Sequence, residues 1–128
     1  MQINSFGFAA SIDADSNSTE GQFYVWEINE LEQVLGNDSK YLVEYFGITE
    51  EGNYDGKNVL SREKEADTFQ TLNHLPIGFL EKAIEKLLDA RNQRTKPNLD
   101  QKIILSWNAM LCSALARCYN ATGINEYK

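Results

Sequence analysis

The sequence predicts a mainly α-helical protein with one small antiparallel β-hairpin. Apolar residues recur at helical spacing in several segments, most clearly over residues 76–91. Residues 99–119 are apolar on almost every side, which is typical of a helix that other elements enclose. Two runs near the start of the chain, residues 6–13 and 22–27, are rich in residue types that favour strands.

The two strand-like runs predict a hairpin over residues 6–27. Between them lies DADSNSTEG, a cluster of turn-forming residues that indicates a long polar loop. Alternation along the second run places Phe23 and Val25 on one face and Tyr24 and Trp26 on the other. Both faces are apolar, so we expect both to be at least partly covered.

Two short helices are predicted over residues 28–47. Apolar spacing favours helices at Ile28–Leu35 and Ser39–Phe46, each followed by a glycine suited to ending a helix. Residues 48–75 follow as a loop with a short extended segment. Within it, residues 52–58 (GNYDGKN) predict a tight turn in which Asn53 and Asn58 bond backbone groups. The alternative, a phosphate cradle, lacks the required spacing and a preceding strand.

The last two elements are an amphipathic helix at residues 76–93 and a buried inner helix at residues 99–120. Pro76 suits the first turn of the former, and Pro97 separates the two. With these elements the 128 residues read as a single partial domain. The apolar stripe of the amphipathic helix consists of Ile77, Leu80, Ile84, Leu87 and Leu88.

Composition excludes several classes of protein. The formal net charge of −7 argues against a nucleic-acid partner, since such proteins carry basic patches. The basic cluster at residues 91–96 is expected to complement a helix C-terminus. Cys112 and Cys118 point in different directions from one predicted helix, so they read as small buried residues of a reducing compartment. No signal peptide and no membrane span are evident, so a cytoplasmic protein is expected.

Four motifs occur in a fixed order: DADS at residues 13–16, GQFYVW at 21–26, GNYDGKNVL at 52–60, and PNLDQKIILSWN at 97–108. Together they resemble the central part of the YyaL-like, thioredoxin-domain-containing proteins, over residues 7–117. The resemblance implies an (α/α)6 toroid of the six-hairpin glycosidase type, similar in shape to N-acylglucosamine 2-epimerases. This chain lacks a CxxC motif. It is therefore expected to be a fragment of the α/α toroid, with the rest of the toroid and a thioredoxin-like domain as its partners.

This chain also departs from the family pattern at four positions. Where the family pattern has His, Asp, Thr and Gly, this chain has Asn98, Gln101, Leu105 and Ala109. The histidine and the aspartate of the family pattern, both able to take part in catalysis, are thus replaced. We expect no activity from this fragment alone.

A sugar site is the first functional hypothesis. Asp13, Asp15 and Asp100 are the candidate catalytic acids, because paired carboxylates carry out general acid and base catalysis in glycoside hydrolysis. Their loop and helix-start positions are where toroids bind ligands. No cofactor or metal is expected, since the calcium-like start at Asp13 lacks the later residues of such a loop. The candidate substrate-binding residues are Trp26, Asn53, Asn58, Lys102, Trp107 and Asn108.

The same residues also have structural interpretations. Asp13 and Asp15 can satisfy loop amides, and Asp100 can cap a helix. Lys102 can pair with one of these acids, and both tryptophans can be core residues. The alternative function is a non-catalytic scaffold that supports a thioredoxin-like domain. Such a slice leaves apolar seams uncovered, which predicts self-association.

Overall fold

The computed structural model describes residues 2–3 and 7–128, and it confirms a mainly helical chain with small antiparallel β pairs. Phe6, the first residue of the predicted hairpin, lies outside the described residues. Within them, no helix combines the length and the apolarity needed to cross a membrane. The helices are α1 (Ile28–Leu35), α2 (Ser39–Phe46), α3 (Ala66–Leu72), α4 (Phe79–Asn92) and α5 (Leu105–Thr122). The strands are β1 (Gln2–Ile3), β2 (Gly7–Phe8), β3 (Ser11–Ile12), β4 (Asp15–Ser16), β5 (Thr19–Glu20) and β6 (Leu99–Asp100).

Contacts divide the chain into two compact units, where the sequence predicts a single partial domain. Unit 1 comprises Met1–Ala14 and Pro97–Lys128, and unit 2 comprises Asp15–Lys96. Unit 1 thus contains α5 and the β1–β2 and β3–β6 pairs, while unit 2 contains the other four helices and the β4–β5 hairpin.

Unit 2 is built around a continuous hydrophobic core. Leu31 and Leu42 are fully buried, and they bring α1 and α2 together as the apolar spacing of both helices predicts. The predicted bounds of α1 and α2 are confirmed. Leu80, Ala83 and Leu87 are the buried residues of α4, which packs against α1. The core residues are Trp26, Leu31, Leu35, Leu42, Tyr45, Phe46, Ile48, Phe69, Leu80, Ala83 and Leu87.

The start of α4 differs from the prediction. Gly78, with φ +80°, is the N-cap of α4, so Pro76 and Ile77 precede the helix. Ile77 is 99% exposed and is not part of the apolar stripe. The left-handed backbone of Gly78 comes directly before the first turn of α4. The spacing of apolar residues does not indicate such a conformation, so it could not predict where the helix begins.

A helix occupies part of the predicted loop over residues 48–75. The Glu65 carboxylate accepts a hydrogen bond from the Thr68 backbone N–H at 2.9 Å, and this bond lowers the pKa of Glu65. Phe69 is buried in the core, and the buried Gln70 side chain accepts a bond from the Leu80 N–H at 3.2 Å. This segment is rich in charged residues, and α3 is only about two turns long. Its two buried residues, Phe69 and Gln70, were too few to produce an apolar periodicity that predicts a helix.

Residues 22–27 do not form the predicted second strand. The N–H groups of Tyr24 and Val25 donate to the Gly21 carbonyl, which makes this segment a turn. Only Trp26 forms a β-bridge, and its partner is Asn58. A hairpin forms instead inside the predicted polar loop, where β4 pairs with β5 around Asn17 and Ser18. Both turn residues have positive φ, the geometry of a type I′ turn.

In unit 1 the predicted inner helix begins later than expected. Residues 99 and 100 form β6, which pairs antiparallel with β3, so that α5 begins at Leu105 rather than at residue 99. Backbone pairing therefore overrides the helical periodicity of these residues. No residue of α5 is buried, and the described residues, 2–3 and 7–128, do not supply the enclosure that its sequence predicts. Cys112 and Cys118 are free and exposed rather than buried.

Candidate functional site

The residues of the predicted sugar site belong to two different units. Unit 1 contains Asp13, Asp100, Lys102, Trp107 and Asn108. Unit 2 contains Asp15, Trp26, Asn53 and Asn58. The convergence of all nine residues on one cavity stays a prediction.

The paired strands β3 and β6 position two of the predicted acids in unit 1. The Ala10 N–H donates to the Asp100 carbonyl at 3.2 Å, and the Asp13 N–H donates to the Asn98 carbonyl at 2.9 Å. The Asp13 side chain is exposed. This ladder brings the backbones of the two acidic residues onto neighbouring strands.

Asp100 is engaged by Lys102. Its Oδ2 lies 2.9 Å from Lys102 Nζ, and its Oδ1 accepts the Lys102 N–H at 3.2 Å. The bond from the Lys102 side chain, followed by the bond from its backbone, lowers the pKa of Asp100. Asp100 is consequently ionised at neutral pH, where it can serve as a base or bind a cation but cannot act as a general acid. The interpretation of Lys102 as the partner of an acid is confirmed; the helix cap is Ile104, not Asp100.

Asn108 holds α5 against strand β2. Its Oδ1 accepts the Phe8 N–H at 2.7 Å, and its Nδ2 donates to the carbonyls of Phe8 at 3.1 Å and Ile104 at 3.0 Å. The Asn108 side chain thus bonds both the N–H and the carbonyl of Phe8, as the backbone of a neighbouring strand would. These partners give Asn108 a structural role, and its substrate-binding role stays a prediction. Trp107, by contrast, is 53% exposed.

Asn53 and Asn58 have the same kind of role in unit 2. The Asn53 amide bonds the N–H and carbonyl of Val59, at 2.8 and 3.0 Å. The Asn58 amide bonds the N–H and carbonyl of Thr49, at 3.1 and 3.0 Å, and Asn58 is 2% exposed. The predicted tight turn is confirmed. The Asn58 amide is buried among its backbone partners, whereas Asn53 is exposed and its substrate-binding role stays a prediction. Asp15 is exposed on β4, with Glu20 as its backbone partner.

Trp26 is a core residue rather than a platform for a sugar. It is 3% exposed, and the Arg94 guanidinium lies over its ring at 4.1 Å from the centroid. A sugar has no access to a ring covered in this way. The interpretation of Trp26 as core is therefore confirmed.

Arg94 is the residue that the sequence most clearly failed to predict. Its Nη1 donates to the carbonyls of Phe23 at 3.0 Å and Val25 at 2.8 Å, with a longer contact of 3.4 Å to Gln22. Its Nη2 bonds both carboxylate oxygens of Glu30 at 3.3 Å. Sequence reasoning assigned the basic cluster to the end of a helix. No local signal in the sequence indicates this role, because the aromatic-rich segment that Arg94 contacts lies about seventy positions away.

Comparison with known proteins gives relatives that share a name. No protein-family model matches the chain. The chain is 32% identical to human spermatogenesis-associated protein 20, over 91% of its own length and 19% of that protein. It is 29% identical to the mouse protein of the same name, over 98% of its length and 20% of the relative. It resembles proteins named spermatogenesis-associated protein 20.

A relative from Caenorhabditis elegans is described only as uncharacterized protein B0495.5. It is 30% identical over 94% of this chain and 20% of the relative. The chain thus spans about a fifth of the length of the curated relatives it matches.

Proposed function

We propose that this chain is a non-catalytic packing module of a larger helical protein, with α5 as the helix that the remaining helices cover. One observation carries the proposal. Leu105, Trp107 and Met110 on α5 are 82%, 53% and 64% exposed. Large apolar side chains grouped on one helix are typical of an interaction surface, whereas single exposed apolar residues are common.

The shape of α5 supports docking of another helix. A shallow cavity of 620 Å³ lies along it, and most of its lining side chains are small. Small residues allow a second helix to approach closely, and larger neighbours then pack into the groove. The lining residues are Ala109, Met110, Ser113, Ala114, Arg117 and Cys118.

The family resemblance supplies the rest of the proposal. The relatives are about five times longer than the matched region, so their other residues are sufficient to cover α5. We propose that the chain corresponds to a slice of the α/α toroid of the YyaL-like proteins, associated there with a thioredoxin-like domain. The free cysteines support a reducing, cytoplasmic setting.

Sedimentation velocity of the chain tests this role. An uncovered apolar face predicts reversible self-association, so the weight-average sedimentation coefficient should rise with concentration. Met110→Glu places a charge in the face and should shift the equilibrium toward monomer. Ile77→Glu is the matched control, because Ile77 is an exposed apolar residue outside α5 and its replacement should change nothing. A monomer at every concentration, or equal effects of both variants, contradicts the proposal.

A sugar site in the longer protein is the second candidate function. It is favoured by the exposed Asp13, the Asp100–Lys102 pair and the half-exposed Trp107, all in unit 1. Carboxylates and an aromatic ring are what protein sites use to bind sugars and hydrolyse glycosides. The test is titration of mono- and oligosaccharides into the full-length protein and its Asp13→Asn and Asp100→Asn variants. Sugar binding that both substitutions leave unchanged removes this candidate.

A further inference from the structure

A small apolar cavity lies beside the C-terminal half of α4 in unit 2. It has a volume of 170 Å³, and aliphatic and aromatic side chains form its walls. The one charged residue in the lining is Arg91. The apolar lining residues are Trp26, Phe46, Leu60, Ile84, Leu87 and Leu88.

Arg91 has a buried donor without an acceptor. Its Nε is shielded from solvent and finds no hydrogen-bond partner among the residues that the structure describes. Its guanidinium carbon lies 5.6 and 5.7 Å from the ring centroids of Phe23 and Tyr24, so the group lies beside these two rings. Buried polar groups almost always have partners, so an orphan of this kind calls for an explanation. A ligand that supplies the missing acceptor would be such an explanation.

We propose that this cavity binds a small monocarboxylate with an apolar body, whose carboxylate bonds Arg91. A guanidinium presents parallel N–H groups that match the two oxygens of a carboxylate. The apolar walls suit a hydrocarbon rather than a sugar, because a hydroxyl placed there would lose its hydrogen bonds. Because the Nε is shielded from solvent, the Arg91 side chain must shift toward the cavity when the ligand binds.

Fluorescence of Trp26 provides a direct binding assay. The chain has two tryptophans, so Trp107→Phe leaves Trp26 as the sole reporter, and Trp26 lines the cavity. Titration with hexanoate should give a saturable change with a Kd on the order of 1 mM. Hexan-1-ol has the same hydrocarbon chain without the charge, and it should bind about tenfold more weakly or worse. Equal binding of the two compounds overturns the proposal.

Two further measurements locate the carboxylate. Arg91→Met should reduce hexanoate affinity about tenfold, whereas the control Lys86→Met, which removes an exposed cation of α4 outside the cavity, should leave it unchanged. In the protein with Arg91 intact, hexanoate should move the Arg91 Nε–H resonance downfield in a ¹H–¹⁵N spectrum. This readout still decides the matter if Arg91→Met fails to fold. An unmoved Nε–H resonance at saturating hexanoate overturns the proposal.

Discussion

Replacement of Arg94 is the sharpest test of how unit 2 is held together. Arg94 supplies donors to the carbonyls of Gln22, Phe23 and Val25, in a segment that forms a turn rather than a paired strand. The matched variants are Arg94→Met, which removes all donors, and Arg94→Lys, which keeps a charge but can reach fewer carbonyls. Both retain most of the aliphatic stem, so the comparison isolates the guanidinium.

The expected loss follows from the individual contacts. The bonds to Phe23 and Val25, at 3.0 and 2.8 Å, are charge-assisted, and bonds of that kind are worth about 1.5–3 kcal/mol each. The pair with Glu30 adds about 0–1 kcal/mol, because the Glu30 side chain is 44% exposed. Water reaches part of Arg94, whose side chain is 21% exposed, so the lower end of these ranges applies. We expect Arg94→Met to lower the free energy of unfolding by about 3 kcal/mol and Arg94→Lys by about 2 kcal/mol.

Urea denaturation of the Trp107→Phe protein, followed by Trp26 fluorescence, measures these losses. The control is Lys96→Met, an exposed neighbouring cation whose loss should change stability by less than about 0.5 kcal/mol. If Arg94→Met unfolds at the same urea concentration as Lys96→Met, the guanidinium does not organise this segment. A loss for Arg94→Lys as large as that for Arg94→Met would show that charge alone contributes nothing.

Three further outcomes follow from single contacts. Asn108→Ala should lower the stability of unit 1 by about 2 kcal/mol and speed hydrogen exchange at Phe8, whose N–H loses its acceptor; an unchanged Phe8 rate contradicts this. The folded-state pKa of Asp100 is below its unfolded value, so its contribution is present above the unfolded pKa and lost as pH falls through the folded one. An NMR titration should place its midpoint below 3.8, and Lys102→Met should raise it; equal midpoints in both proteins refute the pairing. Ser18→Gly should stabilise the β4–β5 hairpin by roughly 0.5 kcal/mol in thermal unfolding, because relief of the left-handed conformation at φ +60°, worth about 1–2 kcal/mol, exceeds the cost of a more flexible unfolded chain, about 0.4–1 kcal/mol; a lower melting temperature counts against the turn assignment.

The sequence predicted those elements whose signals are local. The apolar spacing of α1 and α2, each followed by a glycine, was enough to place both helices at their observed bounds. The tight turn around Asn53 and Asn58 was predicted from residue types alone. Each of these signals lies within one segment of the chain.

The errors arise where a distant group decides the structure. Residues 22–27 have the composition of a strand, but Arg94 bonds their carbonyls across about seventy positions. Similarly, β6 is extended because β3 pairs with it from the other end of the chain. For the candidate site, residue types made Asn108 and Trp26 candidates for substrate binding but could not show that their partners are backbone and core. No periodicity within one segment carries such information.

Hydrogen exchange of α5 as a function of protein concentration tests the central proposal most directly. If α5 is a docking helix, peptides from residues 105–122 exchange quickly in dilute protein, because none of its residues is buried within the chain. Their protection should rise with concentration as association covers the apolar face, while peptides from α4 stay equally protected throughout. Slow exchange of α5 at the lowest concentration, matching α4 and independent of concentration, contradicts the account.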